Sequence, residues 1–343
     1  MKIVFSVVVP VPKINDYIRK EIIPALEKQS FKDFELIIVP DKKPGREKFP
    51  SFVKIYPSWP KLGPADKKDL GARKAKGEII AFLDDDAYPS RDWLKNALSC
   101  FKLQASNFKR ISAVCGPGVT PPNDSLLSQV SGWMWSSWLG AGGAGTYRCW
   151  PGKKREVDDC PTFNLIVRKK DFKKVGGFDS GFWPGEDTKF CHDLVYKLKK
   201  KIIYDPKVLV YHHRRDIFTP HLKQIGRYGL HRGFFVKILP KTSKRLGYFI
   251  PALFALGVIL GPLTALFSPL LFKLYSGVIG IYIILVGFTS LWVLVKSKNL
   301  IIAVLLAPTI FISHLYYGLR FLQGLLKKGK ISKYKKELGE AIT

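Results

Sequence analysis

Cysteine is scarce in this 343-residue chain and never comes in pairs: Cys100, Cys115, Cys149, Cys160 and Cys191 are odd in number, widely spaced and without a C-x-x-C. That pattern argues against a zinc ribbon and against a disulfide framework, so the five are expected to be reduced, cytosolic-side thiols. Acids are short as well, 27 against 56 lysines and arginines, for a formal net charge of +29. Such an excess calls for a partner of opposite sign: nucleic acid, anionic lipid headgroups or a phosphorylated substrate. The chain lacks a zinc finger and an aromatic RNA-binding motif, which sets nucleic acid aside. No secretory leader is expected in "KIVFSVVVPVP", which has no small-residue cleavage site and is ended by prolines; a buried first strand is expected there.

Charge itself is absent from three long stretches, Leu246 to Phe272, Leu274 to Val295 and Asn299 to Leu319. Each is about as long as the ~20 residues a helix needs to cross a bilayer. Lys237, Lys241, Lys244 and Arg245 precede them, and Lys327, Lys328, Lys330, Lys333, Lys335 and Lys336 follow. Cations clustered beside apolar segments favour an anionic lipid surface over nucleic acid. The expected division is a cytosolic α/β domain over residues 1–240, a membrane region of two or three hydrophobic helices over 246–323, and a basic tail over 324–343. Three complete spans would carry that tail to the outside, against the bias of Lys and Arg toward the cytoplasmic face. One segment is therefore expected to be re-entrant or interfacial. The first holds Pro251, Pro262 and Pro269, the third Pro308, His314 and Arg320, and both are candidates. Trp133, Trp135 and Trp138 fit either an ordinary core or a patch at headgroup depth.

Turning to what is present, residues 3–9 and "FELIIVP" at 34–40 are apolar, β-branched runs bounded by proline, the mark of strands buried on both faces of a parallel sheet. Between them Ile18, Ile22, Ala25 and Leu26 recur at helical spacing, giving a β-α-β opening. "VKIYP" at 53–57 and "EIIAFLD" at 78–84 read as further strands, with a helix within 63–77 between them; a helix from Trp93 and a strand at "ISAVCGPG" follow. In open parallel sheets ligands bind beyond the carboxyl ends of the strands, which is where Asp84, Asp85 and Asp86 fall. On a strand end Asp84 and Asp86 point one way and Asp85 the other, so D-x-D is a perch for Mg²⁺ or Mn²⁺. A surface turn produces the same letters by chance. "GEDTKF" holds two more carboxylates, Glu186 and Asp187, and equally fits the acidic first turn of a helix.

The order and spacing of "SVVVPVPKINDYI…LEKQSFKDFELIIVPD", "GARKAKGEIIAFLDDDAYPSRDWL", "VGGFDSGFWPGEDTKF" and "QIGRYGLHRG" resemble family 2 inverting glycosyltransferases of the GT-A fold, over about residues 3–235. The resemblance implies a Rossmann-like, mostly parallel α/β sheet with flanking helices, here followed by an all-α transmembrane region. It implies that Asp84 and Asp86 meet the donor's ribose or diphosphate and the metal, with His212 as a further metal ligand and Asp85 and Pro10 beside the donor. Asp187 matches the family's general base, with Glu186 next to it. Gln224, Arg227 and Tyr228 resemble a Q-x-x-R-W signature with Tyr in place of Trp, implying contacts to the acceptor or the diphosphate. The second strand lacks the usual acidic pair, since Pro40 precedes Asp41, which leaves Asp41 as the acid for the nucleotide base. Lys68-Asp69 replaces the usual Arg-Asn, with Lys68 as the cation for the diphosphate.

The resulting expectation is a multi-pass protein of the cell membrane whose cytoplasmic domain moves a hexose from a nucleoside diphosphate sugar to a lipid-linked or glycan acceptor, with inversion and with Mg²⁺ or Mn²⁺. A processive polysaccharide synthase, and a non-catalytic membrane protein that keeps the fold to bind phosphate or lipid, are the alternatives.

Overall fold

A computed structural model describes residues 3–58, 62–102 and 111–328. The basic tail beyond Lys328, with Lys330, Lys333, Lys335 and Lys336, lies outside the described residues. Two compact units emerge. The first comprises Met1–Val119 and Trp150–His212, the second Thr120–Cys149 and His213–Lys328. Residues 120–149 and 213–240, grouped by sequence order with the α/β domain, thus fold with the apolar helices.

Strands run in chain order as β1 (Phe5–Pro10), β2 (Phe34–Val39), β3 (Val53–Ile55), β4 (Ile79–Phe82), β5 (Ala87–Pro89), β6 (Ile111–Cys115), β7 (Gly118–Val119), β8 (Arg155–Val157), β9 (Leu165–Arg168), β10 (Lys201–Tyr204) and β11 (Val210–His212). Helices are α1 (Ile23–Glu27), α2 (Pro64–Lys74), α3 (Trp93–Lys102), α4 (Leu126–Ser136), α5 (Trp138–Thr146), α6 (Lys169–Val175), α7 (Glu186–His192), α8 (Thr219–Ile238), α9 (Pro240–Ser243), α10 (Leu246–Leu260), α11 (Pro269–Ser297) and α12 (Leu300–Leu326).

Among the described residues the first unit holds an eight-stranded sheet of order β3-β2-β1-β4-β9-β6-β10-β8 and a three-stranded sheet of order β5-β11-β7. β1, β2, β3 and β4 are mutually parallel, as is the β6–β10 pair, while β9 runs antiparallel between β4 and β6. Every residue of β1 and β2 is buried, as expected for strands covered on both faces. Two polar residues in them are satisfied locally: Ser6 donates to Glu35 at 2.7 Å, and the Lys76 N–H donates to the same carboxylate oxygen at 2.7 Å. Their burial is structural. The helix between β1 and β2 contains a π-turn over Ile18–Ile22, because Pro24 has no N–H and its ring crowds the preceding turn, so the Ile23 N–H bonds the Ile18 carbonyl instead.

The expectation of five reduced thiols requires correction. Cys115, at the end of β6, and Cys160 form a disulfide with Cα atoms 6.7 Å apart, while Cys100, Cys149 and Cys191 are free and buried. A separation of 45 residues leaves no trace in spacing, because only the folded sheet makes the two neighbours.

In the second unit, Leu246–Leu266, Pro269–Ser297 and Leu300–Leu326 are long and apolar enough to cross a bilayer. They differ in what covers them. α11 is almost wholly exposed along its apolar length, whereas α12 has one exposed stripe, including Ile301, Val304, Phe311 and Leu319, and one buried in protein, including Leu306, Ile310, Ser313 and Phe321. α8 lies against that buried stripe. A Cβ on Gly229 would stand 2.6 Å from the Tyr317 carbonyl oxygen, and one on Gly233 would stand 2.1 Å from that of Phe321, so the two backbones approach as only small residues allow. Trp133 packs edge-on against Trp292 at 5.8 Å and Trp135 against Tyr228 at 5.9 Å, whereas Trp138 is 69% exposed. The tryptophans thereby divide between core and surface.

Candidate active site

β4 ends at Phe82, and the three aspartates follow in the turn that leads to β5 rather than on the strand itself. The short sheet then decides their surroundings. His212 pairs with Ala87 across β11 and β5, bringing its Nε2 to 3.1 Å from Asp86 Oδ1, and the Phe163 ring packs tilted by 36° against the imidazole at 4.5 Å. Asp84, Asp86 and His212 each offer one ligand atom, and these atoms lie within 4.8 Å of one another. Two carboxylate oxygens with one imidazole nitrogen form a donor set that fits Mn²⁺ or Mg²⁺. Asp85 turns away and accepts from Asn15 Nδ2 at 2.8 Å. Burial, with Asp86 and Asp84 as like-charged neighbours, pushes Asp85 up to about 7; burial likewise raises Asp84, against the pull of Lys68.

Lys68 is the hinge between this turn and the second carboxylate pair. It is 4% exposed, donates to Glu186 Oε1 at 3.0 Å and to Thr162 Oγ1 at 2.5 Å, and therefore is not one solvated lysine among many. Burial works to lower its pKa, but Glu186, Asp84 and Asp187 facing it prevail and hold it above the ordinary lysine value. One ammonium thus feels carboxylates from the β4–β5 turn and from α7 together. Asp187 Oδ1 accepts the Thr188 N–H at 2.7 Å, and Thr188 Oγ1 donates to Asp159 at 3.1 Å. Burial first, then Glu186 and Asp159, pushes Asp187 up to about 7. A carboxylate so poised can take up a proton at neutral pH.

Local sequence explains why α7 stands there. Gly176 and Gly177 take φ of 95° and 83°, a left-handed turn that admits glycine readily. The turn delivers the Phe178 N–H to Asp69 Oδ1 at 3.0 Å, beside Lys68 on α2. Burial, opposed by that N–H, raises Asp69 to about 6. Phe178 then joins Phe82, Phe172 and Phe190 with ring centroids 5.0 to 5.4 Å apart, and each buried ring contributes about 1.5–3 kcal/mol. This cluster pins α7 to β4. Glu186 and Asp187 do form an acidic first turn, so the helix-start reading and the cluster coexist.

The remaining candidates are placed as follows. Pro10 closes β1 and is buried opposite Val39. Asp41, beyond the end of β2, forms an ion pair with the buried Lys67, whose Nζ also donates to the Val11 carbonyl at 2.9 Å. Gln224, Arg227 and Tyr228 belong to the second unit, where Gln224 donates to the Tyr228 hydroxyl at 3.1 Å. Their i, i+3, i+4 spacing sets them on the side of α8 away from Gly229 and Gly233. His213 separates from His212 and meets Asp124 at 2.5 Å within the second unit. Sequence reading missed Asn15, Lys67, Asp159 and Thr162. Only Asn15, ahead of a helical repeat, left a signal: its Oδ1 accepts the Ile18 N–H at 3.0 Å.

Comparisons with known proteins bear on the family and the fold. Residues 6–251 match the model of a family described as "Glycosyltransferase like family 2". The chain is 24% identical over 259 residues, 75% of its own length and 74% of the other's, to dolichyl N-acetyl-alpha-D-glucosaminyl phosphate 3-beta-D-2,3-diacetamido-2,3-dideoxy-beta-D-glucuronosyltransferase of Methanococcus voltae. It is 28% identical over 170 residues to pre-mycofactocin glycosyltransferase of Mycobacterium tuberculosis (strain ATCC 25618 / H37Rv), spanning 49% of this chain and 33% of that protein. Among solved structures, mannosyltransferase PcManGT from Pyrobaculum calidifontis in complex with GDP-Man and Mn²⁺ superposes with a TM-score of 0.52 at 17% identity, covering 95% of this chain and 88% of that one.

Proposed function

The chain belongs to glycosyltransferase-like family 2 and has the GT-A fold, and from that premise we propose a membrane-anchored inverting transferase that moves a sugar from a nucleoside diphosphate sugar to a lipid-linked acceptor. The observation that carries the proposal is Lys68, one buried cation facing Asp84 on one side and Glu186 and Asp187 on the other. Asp187 is the general base: as the acceptor oxygen bonds to the anomeric carbon from the face opposite the diphosphate, its proton passes to the Asp187 carboxylate. The bond from that carbon to the diphosphate breaks, and the electron pair leaves with the diphosphate. Lys68 positions Glu186 and tempers the repulsion that keeps Asp187 protonated below neutrality. Asp84, Asp86 and His212 would hold Mg²⁺ or Mn²⁺. When bound there, the ion offsets the negative charge gathering on the departing diphosphate. Pro10, Asp41 and Asp85 line the donor side, and Gln224, Arg227 and Tyr228 serve the acceptor or the diphosphate.

Support for a lipid-linked acceptor comes from the name of the Methanococcus relative, which places transfer on a dolichyl phosphate-linked sugar. The apolar helices support a membrane location. Lys237, Lys241, Lys244 and Arg245, just ahead of the first of them, favour a cytoplasmic catalytic unit in the cell membrane. The test is a thermal-shift screen of nucleoside diphosphate sugars with and without Mn²⁺. One sugar nucleotide is expected to raise the melting temperature only with the metal, and Asp187→Asn to abolish transfer while keeping that shift. If no sugar nucleotide binds and Asp187→Asn changes nothing, the proposal is wrong.

A further inference from the structure

Length and hydropathy make Leu246–Leu266, Pro269–Ser297 and Leu300–Leu326 alike, but their packing separates them. α11 has 29 residues and α12 has 27, so each is about 40 Å long at 1.5 Å per residue, the width of a bilayer with its headgroups. Only Lys298 and Asn299 join them, and so short a connection makes the two helices antiparallel neighbours. Their mid-points meet, with the Tyr282 hydroxyl 3.1 Å from His314 Nδ1. The start of α11 and the end of α12 therefore share one side of the membrane, and the turn at Lys298 takes the other.

α10 has both of its ends on the first side. Near its start Phe249 packs edge-on against Phe321 at 4.9 Å, and Phe321 is about 8 Å short of the end of α12. Beyond its end, residues 261–268 consist mostly of a 3-10 helix over Gly261–Leu266 and cover at most about 20 Å, too little to recross ~30 Å of hydrocarbon before α11 begins at Pro269. A Cβ on Gly261 would clash with the Tyr275 ring, which places this return against the second turn of α11. Between its ends α10 reaches deeper: Phe254 packs on Tyr282, halfway along α11, at 4.3 Å and on Phe311 at 5.8 Å. Ala252 and Ala255 are buried, whereas Leu246, Ile250, Leu253 and Leu260 are each more than half exposed, an apolar face for lipid.

Charge marks the same side. Lys237 donates to the Gly324 and Leu325 carbonyls at 3.4 and 2.9 Å, at the end of α12. Lys241, Lys244 and Arg245 precede α10, Lys273 lies in the first turns of α11, and Lys327 and Lys328 follow α12, while the opposite turn has Lys296 and Lys298. No acid stands between Asp216 and Glu337 to offset them. Cations so distributed suit an anionic cytoplasmic leaflet. Resting on the reading of this chain as a membrane-anchored transferase, we infer that α10 is a re-entrant segment in that leaflet, that only α11 and α12 cross the bilayer, and that the chain leaves α12 on the cytoplasmic side. The basic tail then obeys the charge bias that three spans would violate.

Lys273→Cys, Lys296→Cys and Thr343→Cys are introduced singly into the full chain, and a membrane-impermeant maleimide is offered to intact cells and to inside-out vesicles. The native chain, whose three free thiols are buried, sets the background. Lys273→Cys and Thr343→Cys should label about tenfold or more better in inside-out vesicles, and Lys296→Cys correspondingly better in cells. Three spans require the reverse at all three positions. Labelling of either Lys273→Cys or Thr343→Cys from outside, or of Lys296→Cys from inside, would overturn the inference. Failure of the underlying reading is separable: release of the protein by alkaline carbonate without detergent would remove the anchor itself, whereas absence of sugar transfer with the expected labelling would remove the activity and leave the topology standing.

Discussion

Lys68 and Glu186 are each buried to within a few per cent, so neither charge tolerates loss of the other. Lys68→Met should destabilise the first unit by about 3–5 kcal/mol, most of it the penalty of an unpaired buried carboxylate. Adding Glu186→Gln should recover much of that loss, and a double-mutant cycle in chemical denaturation checks it. Asp187 carries a pH signature of opposite sign in stability and in rate. Burial first, then Glu186 and Asp159, raises its folded pKa from the ordinary 3.8 to about 7. The native state therefore keeps a proton that the unfolded chain releases, and the associated stability is fully present below about pH 4 and lost as pH rises through about 7. Transfer needs the ionised base, so its rate should rise over the upper part of the same window. Asp187→Asn should flatten the stability profile and abolish transfer; melting curves and initial rates from pH 5 to 9 decide, and a rate that falls between pH 6 and 8 contradicts the assignment.

At the scale of elements, α8 owes its place to glycines that local propensity would discourage. Alanine exceeds glycine in a helix interior by about 1 kcal/mol, so propensity alone predicts a gain from Gly233→Ala. The added methyl would instead meet the Phe321 carbonyl oxygen and the Leu325 nitrogen, both backbone, and separating the helices should cost about 1–3 kcal/mol. A lower melting temperature is expected. Gly277→Ala on α11, with nothing within 4 Å, should be neutral or slightly stabilising and serves as the control. The strands of the parallel core, β1, β2 and β4, were legible because burial on both faces demands unbroken apolar runs. β9 was not, since its Leu-Ile-Val core is short and followed by "RKK", and only its pairing with β4 and β6 makes it a central strand. The D-x-D pairing was anticipated for the wrong backbone: a turn, and not a strand, brings Asp84 and Asp86 together.

For the whole molecule, interleaving of the chain matters more than its linear order. α4 and α8 come from segments that precede the apolar stretches, yet they fold in one unit with α12. Ile225, Leu230, Phe234 and Phe235 of α8 are buried in that unit. A chain ended at residue 240 would lack α10, α11 and α12 and leave these faces open to water. Expression of residues 1–240 should therefore give aggregated protein, whereas the full chain in detergent should elute as a single species; a monodisperse truncated form in size-exclusion chromatography would contradict this. Hydropathy treats the third apolar stretch like the second. Contact with α8 sets it apart, because a helix carrying Lys223, Arg227, Arg232 and Lys237 runs beside Ser313–Leu325 where lipid would otherwise lie.

Sequence alone determined the parallel α/β core, the acidic run that follows β4, the second carboxylate pair and the presence of long apolar helices. Each of these is written in runs of neighbouring residues whose chemistry is local: burial on two faces, charge crowding, helical length. Only the tertiary structure decided that Lys68 joins the two carboxylate sets, that Cys115 pairs with Cys160, and that the glycines of α8 meet the backbone of α12. Those depend on residues dozens to more than a hundred positions apart, and their proximity is a property of packing that no local pattern records.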